Sequence, residues 1–122
     1  MPIQRRPIQR ADADELADLG RFSESALLVL ASLAEGPKHG YAMMQDILEF
    51  HGARMEPGTL YGVLARLELR GWIVPLPIEG RRRPYRLTTA GAQVLQTHLT
   101  VMERVVSTGR QRLEPHGSSA AP

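Results

Sequence analysis

Apolar side chains recur at helical spacing in several stretches of this 122-residue chain. Ala26, Leu27, Leu30, Ala31 and Ala34 predict a helix that Ser23 caps and Gly36-Pro37 ends. Tyr41, Met44, Ile47 and Leu48 predict a second helix of about three turns, which begins after the breaker "GPKHG" and fades at His51-Gly52. The third starts near Pro57, where a missing N–H costs nothing. It buries Leu60, Val63, Leu64 and Leu67 and closes at Gly71, with Trp72 packing back on Leu67. Its other face carries Thr59, Tyr61, Gly62, Arg66 and Arg70. Alternation and turn residues then predict two short strands, near Trp72–Leu76 and Tyr85–Leu87. "PIEGRRRP" forms the tip between them, and prolines 75, 77 and 84 mark both as edge strands. A long last helix, capped by Thr88 or Thr89, runs to about Arg112. A short helix over Asp12–Gly20, with Asp12 and Glu15 as its capping box, precedes them all.

This order gives a mainly α fold with a small β-hairpin: a winged helix-turn-helix flanked by an N-terminal and a long C-terminal dimerisation helix. The expected organisation is a flexible basic arm (1–11), the winged domain with its preceding helix (12–88), the dimerisation helix (89–113) and a disordered tail (114–122). The layout suits DNA because a helix fits the major groove, where short side chains and arginines reach base edges.

Charge sharpens this expectation. The net charge is only +2, yet "EGRRRPYRLT" places Arg81, Arg82, Arg83 and Arg86 within six positions. Cations on a hairpin tip, uncompensated by acids after Glu79, can neutralise phosphates or enter a narrow minor groove. The rival reading, a turn kept soluble by its charge, leaves the clustering unexplained.

Cysteine is absent, which excludes disulfides, thiolate metal sites and cysteine nucleophiles. His39, His51, His98 and His116 lack ligand spacing, no phosphate loop follows a strand, and no serine sits in a nucleophile elbow. Neither an enzyme nor a cofactor is expected. The longest apolar run, Ala26–Ala31, is far below the roughly 20 residues of a membrane span, and the basic start is not followed by an apolar core. The expected compartment is the cytoplasm. Met43, Met44, Met55 and Met102 read as gap-fillers.

Several motifs in order, "LLVLASLAEGPKHGYAMMQDI", "EPGTLYGVLARLELRGWI" and "RRRPYRLTTAG", resemble the PadR-type transcriptional regulators over residues 22–113. The resemblance implies a dimeric repressor that reads a near-palindromic DNA operator, with a small-molecule effector able to release it. Carried over by residue, it puts Gly58, Thr59 and Tyr61 in the groove, Lys38 and Tyr41 near the backbone, and Arg66 on phosphate. Two positions depart from the family pattern. Glu56 replaces the usual capping serine and would repel the DNA backbone; Gly62 replaces a common proline and lets DNA approach closely.

The last helix points to a homodimer independently. Leu95, Leu99, Met102, Val106, Gly109 and Leu113 alternate at spacings of four and three, a heptad seam interrupted at Gly109. Two-fold symmetry would set the recognition helices about one DNA turn, roughly 34 Å, apart. The alternative is a winged-helix module that docks protein through its Tyr61 face and wing, without specific DNA binding. Salt separates the two, since only counterion release makes binding fall steeply with ionic strength.

Overall fold

The computed structural model describes residues 24–115. The expected Asp12–Gly20 helix, the Ser23 cap, the basic arm and residues 116–122 lie outside them. The elements are α1, described over 24–34, then β1 (Lys38–His39), α2 (Gly40–His51), α3 (Pro57–Leu69), β2 (Ile73–Pro75), β3 (Pro84–Leu87) and α4 (Thr89–Leu113). This is the winged-helix order expected from the sequence, with one strand added.

α1 to α3 pack around a core of Ala26, Val29, Leu30, Leu33, Met43, Ile47, Leu60, Val63, Leu64 and Leu67, to which Trp72, Ile73 and Leu95 add the base of the sheet and the start of α4. The α3 stripe is as expected. On α1 the buried face is Ala26, Val29, Leu30 and Leu33, while Ala34 is exposed. The continuous run "ALLVLA" offers no polar position to phase the helix, and Ser32, which would read as outward, is buried because its hydroxyl donates to Asp46 Oδ2 at 2.7 Å. On α2 the buried face is Gly40, Met43 and Ile47; Tyr41 and Leu48 turn outward. The helix begins inside the expected breaker, because His39 caps it through Nδ1, which accepts from the Ala42 amide.

α3 ends as its sequence requires. The Gly71 amide donates to Glu68 O at 2.9 Å and the Trp72 amide to Leu67 O at 3.0 Å, the paired bonds of a Schellman cap that turns Trp72 into the core.

The sheet has three antiparallel strands in the order β1-β3-β2, not two. Lys38 pairs with Tyr85 and His39 with Pro84, while Ile73, Val74 and Pro75 pair with Leu87, Arg86 and Tyr85. β3 is therefore central, which corrects the edge assignment of Pro84. Proline is tolerated there because it opens the strand, and its carbonyl accepts from the Leu76 amide at 2.8 Å. β1 has only two residues, too few to show alternation.

Thr88 caps α4: its Oγ1 accepts from the Gly91 amide at 3.0 Å and donates to Gly71 O at 2.8 Å. Leu95 is buried in this chain's own core, so the first seam position serves intramolecular packing. Leu99, Met102 and Val106 are 40%, 41% and 49% exposed. Among the described residues no helix is long and apolar enough to cross a membrane.

Gly91 lies where α4 crosses the Trp72 backbone. A Cβ there would run into the Trp72 carbonyl oxygen, which cannot retreat without losing the Thr88 amide it accepts at 3.0 Å. Gly91→Ala is therefore expected to destabilise by about 1–3 kcal/mol, a fall in Tm of roughly 4–8 °C per kcal/mol, measured by thermal unfolding.

Candidate nucleic-acid interface

The start of α2, the exposed face of α3 and the wing meet in one cleft, lined by His39, Gly40, Tyr41, Tyr61, Arg81, Arg82, Arg83 and Tyr85. Close packing of α2 on α3 makes it. A Cβ at Gly40 would lie 2.5 Å from the Tyr61 hydroxyl oxygen and 3.2 Å from Leu60 Cδ2, so only glycine lets the tyrosine lie across the first turn of α2. Tyr61 remains 53% exposed, so it packs and faces solvent at once.

The wing closes the other side. Its two-residue turn is held by reciprocal bonds, Glu79 amide to Arg82 O at 2.8 Å and Arg82 amide to Glu79 O at 3.0 Å. The Arg82 guanidinium lies 5.7 Å from the centre of the Tyr41 ring, and its Nη1 is 3.1 Å from His39 Nε2. Tyr41 is fixed in turn, its hydroxyl accepting from Gln45 Nε2 at 2.6 Å. Arg83 Nη1 donates to Leu76 O at 2.7 Å, bracing the wing's two sides. Arg81 sits at the tip with no hydrogen-bond or ion-pair partner among the described residues. Tyr85 forms part of the floor; its burial, reinforced by the Glu68 carboxylate, pushes the phenol above its ordinary value.

Other expected contacts fall elsewhere. Lys38 does not line this cleft. Its side chain is 12% exposed, and its ammonium donates to Ser32 O at 2.5 Å and pairs with Glu35 at 3.1 Å and Asp46 at 3.7 Å. Gly58 and Thr59 are exposed in the first turn of α3, Thr59 beside a second cleft with Glu24, His51 and Arg54. Arg66 is exposed further along the same helix. Glu56 is the N-cap of α3 but makes no side-chain cap bond, so the departure from serine leaves the first-turn amides without that acceptor. Gly62 has nothing within 4 Å of where a Cβ would be, consistent with an open surface.

His39, Gly40 and Tyr85 join the cleft without having been expected there, although "HGY" and "YRLT" are both visible as motifs. Their roles depend on β1 pairing with β3, which periodicity does not reveal. Among the described residues no group of histidines and carboxylates is placed to hold a metal.

A helix-turn-helix of α2 and α3, with a hairpin wing beside it, defines a winged-helix protein. The model of the transcriptional regulator PadR-like family matches residues 29–97, and the chain belongs to that family. It is 45% identical over 85 residues to an uncharacterised 37.1 kDa protein in transposon TN4556 of Streptomyces fradiae, covering 70% of this chain and 25% of that protein. It is 39% identical over 82 residues to the transcriptional regulator Rv3488 of Mycobacterium tuberculosis, covering 65% of this chain and 76% of that one. The chain thus spans about a quarter of the length of the first relative and three quarters of the second. A transcriptional regulator structure from Clostridium thermocellum superposes with a TM-score of 0.67 at 26% identity, over 80% of this chain and 96% of that chain.

The Gly40–Tyr61 contact can be tested by crossing two substitutions. Gly40→Ala is expected to destabilise by about 1–3 kcal/mol. Adding Tyr61→Phe, which removes the nearest atom, should recover part of that loss in a denaturant titration, giving a non-additive pair.

Proposed function

We propose that the chain is a DNA-binding transcriptional repressor that acts as a homodimer on a near-palindromic operator. The observation that carries this reading is the cleft in which Arg81, Arg82 and Arg83 of the wing face Tyr41 and Tyr61 of the helix-turn-helix. Cations and aromatic faces gathered in one cleft match a phosphate backbone, and the exposed small residues of the first turn of α3 suit an open groove. In this reading Gly58, Thr59 and Tyr61 meet base edges, while Tyr41, Arg66 and the three wing arginines hold phosphates. The ammonium of Lys38 serves Ser32, Glu35 and Asp46, so its part is to hold β1 in place.

A second copy is the proposed occupant of the α4 face. Leu99, Met102 and Val106 continue outward the heptad spacing that starts at the buried Leu95, and Leu113 at its end is 85% exposed. An apolar stripe this long on a helix that otherwise faces water is suited to self-association. Pairing would also supply the two-fold axis that a palindromic site needs.

Selection of bound fragments from random duplex DNA, followed by salt titration of the winner against a scrambled duplex, tests the reading. A two-fold-symmetric site with a steep salt slope is the expected result; no enrichment and salt-insensitive capture of protein would favour the docking module instead. Replacing Arg81, Arg82 and Arg83 by alanine should weaken binding to all sequences and flatten the log–log salt slope by about 0.9 for each phosphate that is no longer neutralised. Leu99→Glu should give monomers by light scattering and much weaker operator binding.

A further inference from the structure

His39 is asked to do two incompatible things. Its Nδ1 is 3.3 Å from the Ala42 amide, which can only donate, and its Nε2 is 3.1 Å from Arg82 Nη1, which also can only donate. A neutral imidazole has one lone-pair nitrogen and one N–H, so both contacts cannot be hydrogen bonds at once. The amide decides which one is. Ala42 lies in the part-buried first turn of α2, where no intrahelical carbonyl is available, and leaving its N–H unpaired would cost about 1–3 kcal/mol. The exposed Arg82 guanidinium loses less, because its N–H groups can bond water where it lies over Tyr41. The lone pair therefore stays on Nδ1, and the ring hydrogen stands on Nε2, facing a guanidinium.

We infer that His39 Nε2–H and the Arg82 guanidinium form a two-donor clamp for one phosphate oxygen of the DNA backbone. Two donors 3.1 Å apart leave each other unsatisfied, and a single anionic oxygen within hydrogen-bond distance of both would satisfy them. The rest of the cleft is built to hold the pair. Nδ1 fixes the ring through the α2 cap, and the Tyr41 face beneath Arg82 fixes the guanidinium. His39 thus joins the recognition machinery as a donor through Nε2–H, tying the backbone position to the first turn of α2. The inference rests on the DNA-binding reading and adds the ligand atom and the tautomer.

Two substitutions separate the ring's two nitrogens. His39→Asn keeps an acceptor where Nδ1 stands and removes the outer N–H; His39→Gln keeps an amide N–H where Nε2 stands and gives up the cap. Binding to a labelled random-sequence duplex at low salt should fall about tenfold in His39→Asn, with Tm and salt slope unchanged because a neutral donor displaces no counterion. In His39→Gln the Tm should fall while the folded protein keeps near-native affinity. Arg82→Ala should flatten the slope by about 0.9, and its effect should not multiply with that of His39→Asn, since both serve one oxygen. Nitrogen-15 spectra of the free protein, at a pH where the ring is neutral, should show a lone pair on Nδ1 and hydrogen on Nε2. The opposite tautomer, or native affinity in His39→Asn, overturns the clamp and leaves the DNA-binding reading standing; a wild-type chain that binds no duplex overturns both.

Discussion

The hydroxyl of Thr88 stands where three pieces of the chain meet, and the position of the wing follows from it. Its oxygen accepts from the Gly91 amide at the start of α4 and donates to the Gly71 carbonyl at the end of α3, while the Thr88 amide donates to Trp72 O at the base of β2. Each bond satisfies a helix-end or strand-end group that would otherwise be orphaned. Together they make the end of α3, the root of the hairpin and the start of α4 one rigid corner. The wing leaves that corner on β2 and returns to it on β3, so its arginines are placed relative to α3 by backbone geometry.

A second set of polar contacts positions the opposite side of the cleft. Lys38 reaches Ser32, Glu35 and Asp46, and Ser32 also donates to Asp46. A mostly buried ammonium is tolerable only with such partners, and removing one of them would leave charge uncompensated. The network fastens the link between α1 and α2 in the extended form, and that link becomes β1, the strand that pairs with Tyr85 and Pro84 of the wing. Pairing brings His39 within reach of Arg82. Thus Lys38, whose ammonium is occupied by these partners, holds in place the residue that faces the wing.

The elements with strong period and clear punctuation are legible in the chain: α3, with Leu60, Val63, Leu64 and Leu67 at helical spacing and Gly71 after it, and α4, with Thr88 before it. Phase is lost where polar residues cannot guide it. "ALLVLA" fits several faces of α1, and the outward turn of Tyr41 follows from Gly40 facing Tyr61, a contact invisible before α2 and α3 are docked. β1 escapes a reading by pattern because two residues carry no alternation and because its partner strand is distant in sequence. The arginine cluster marks the wing correctly, whereas the aromatic side of the cleft needs the tertiary arrangement to be seen.

The wing cations are not equivalent, and in the proposed DNA-binding reading their differences suit a surface ordered before it binds. Arg83 donates to Leu76 O and belongs to the architecture of the hairpin; Arg82 is held over Tyr41 against His39; Arg81 at the tip is left to solvent. In the proposed DNA-binding reading, holding Arg82 over Tyr41 in the free protein would reduce the side-chain entropy lost on meeting a phosphate, an amount of about 0.5–1.5 kcal/mol for a rotamer-rich side chain. In the same reading, an untethered Arg81 would keep the tolerance needed to follow a groove whose width varies with sequence. Arginine suits the held position better than lysine would, because a planar guanidinium can lie on an aromatic ring and still present N–H groups at its edge. The short run of arginines therefore combines a brace, an ordered donor and a free charge. Local concentration of cations matters more to this surface than the chain's net charge of +2.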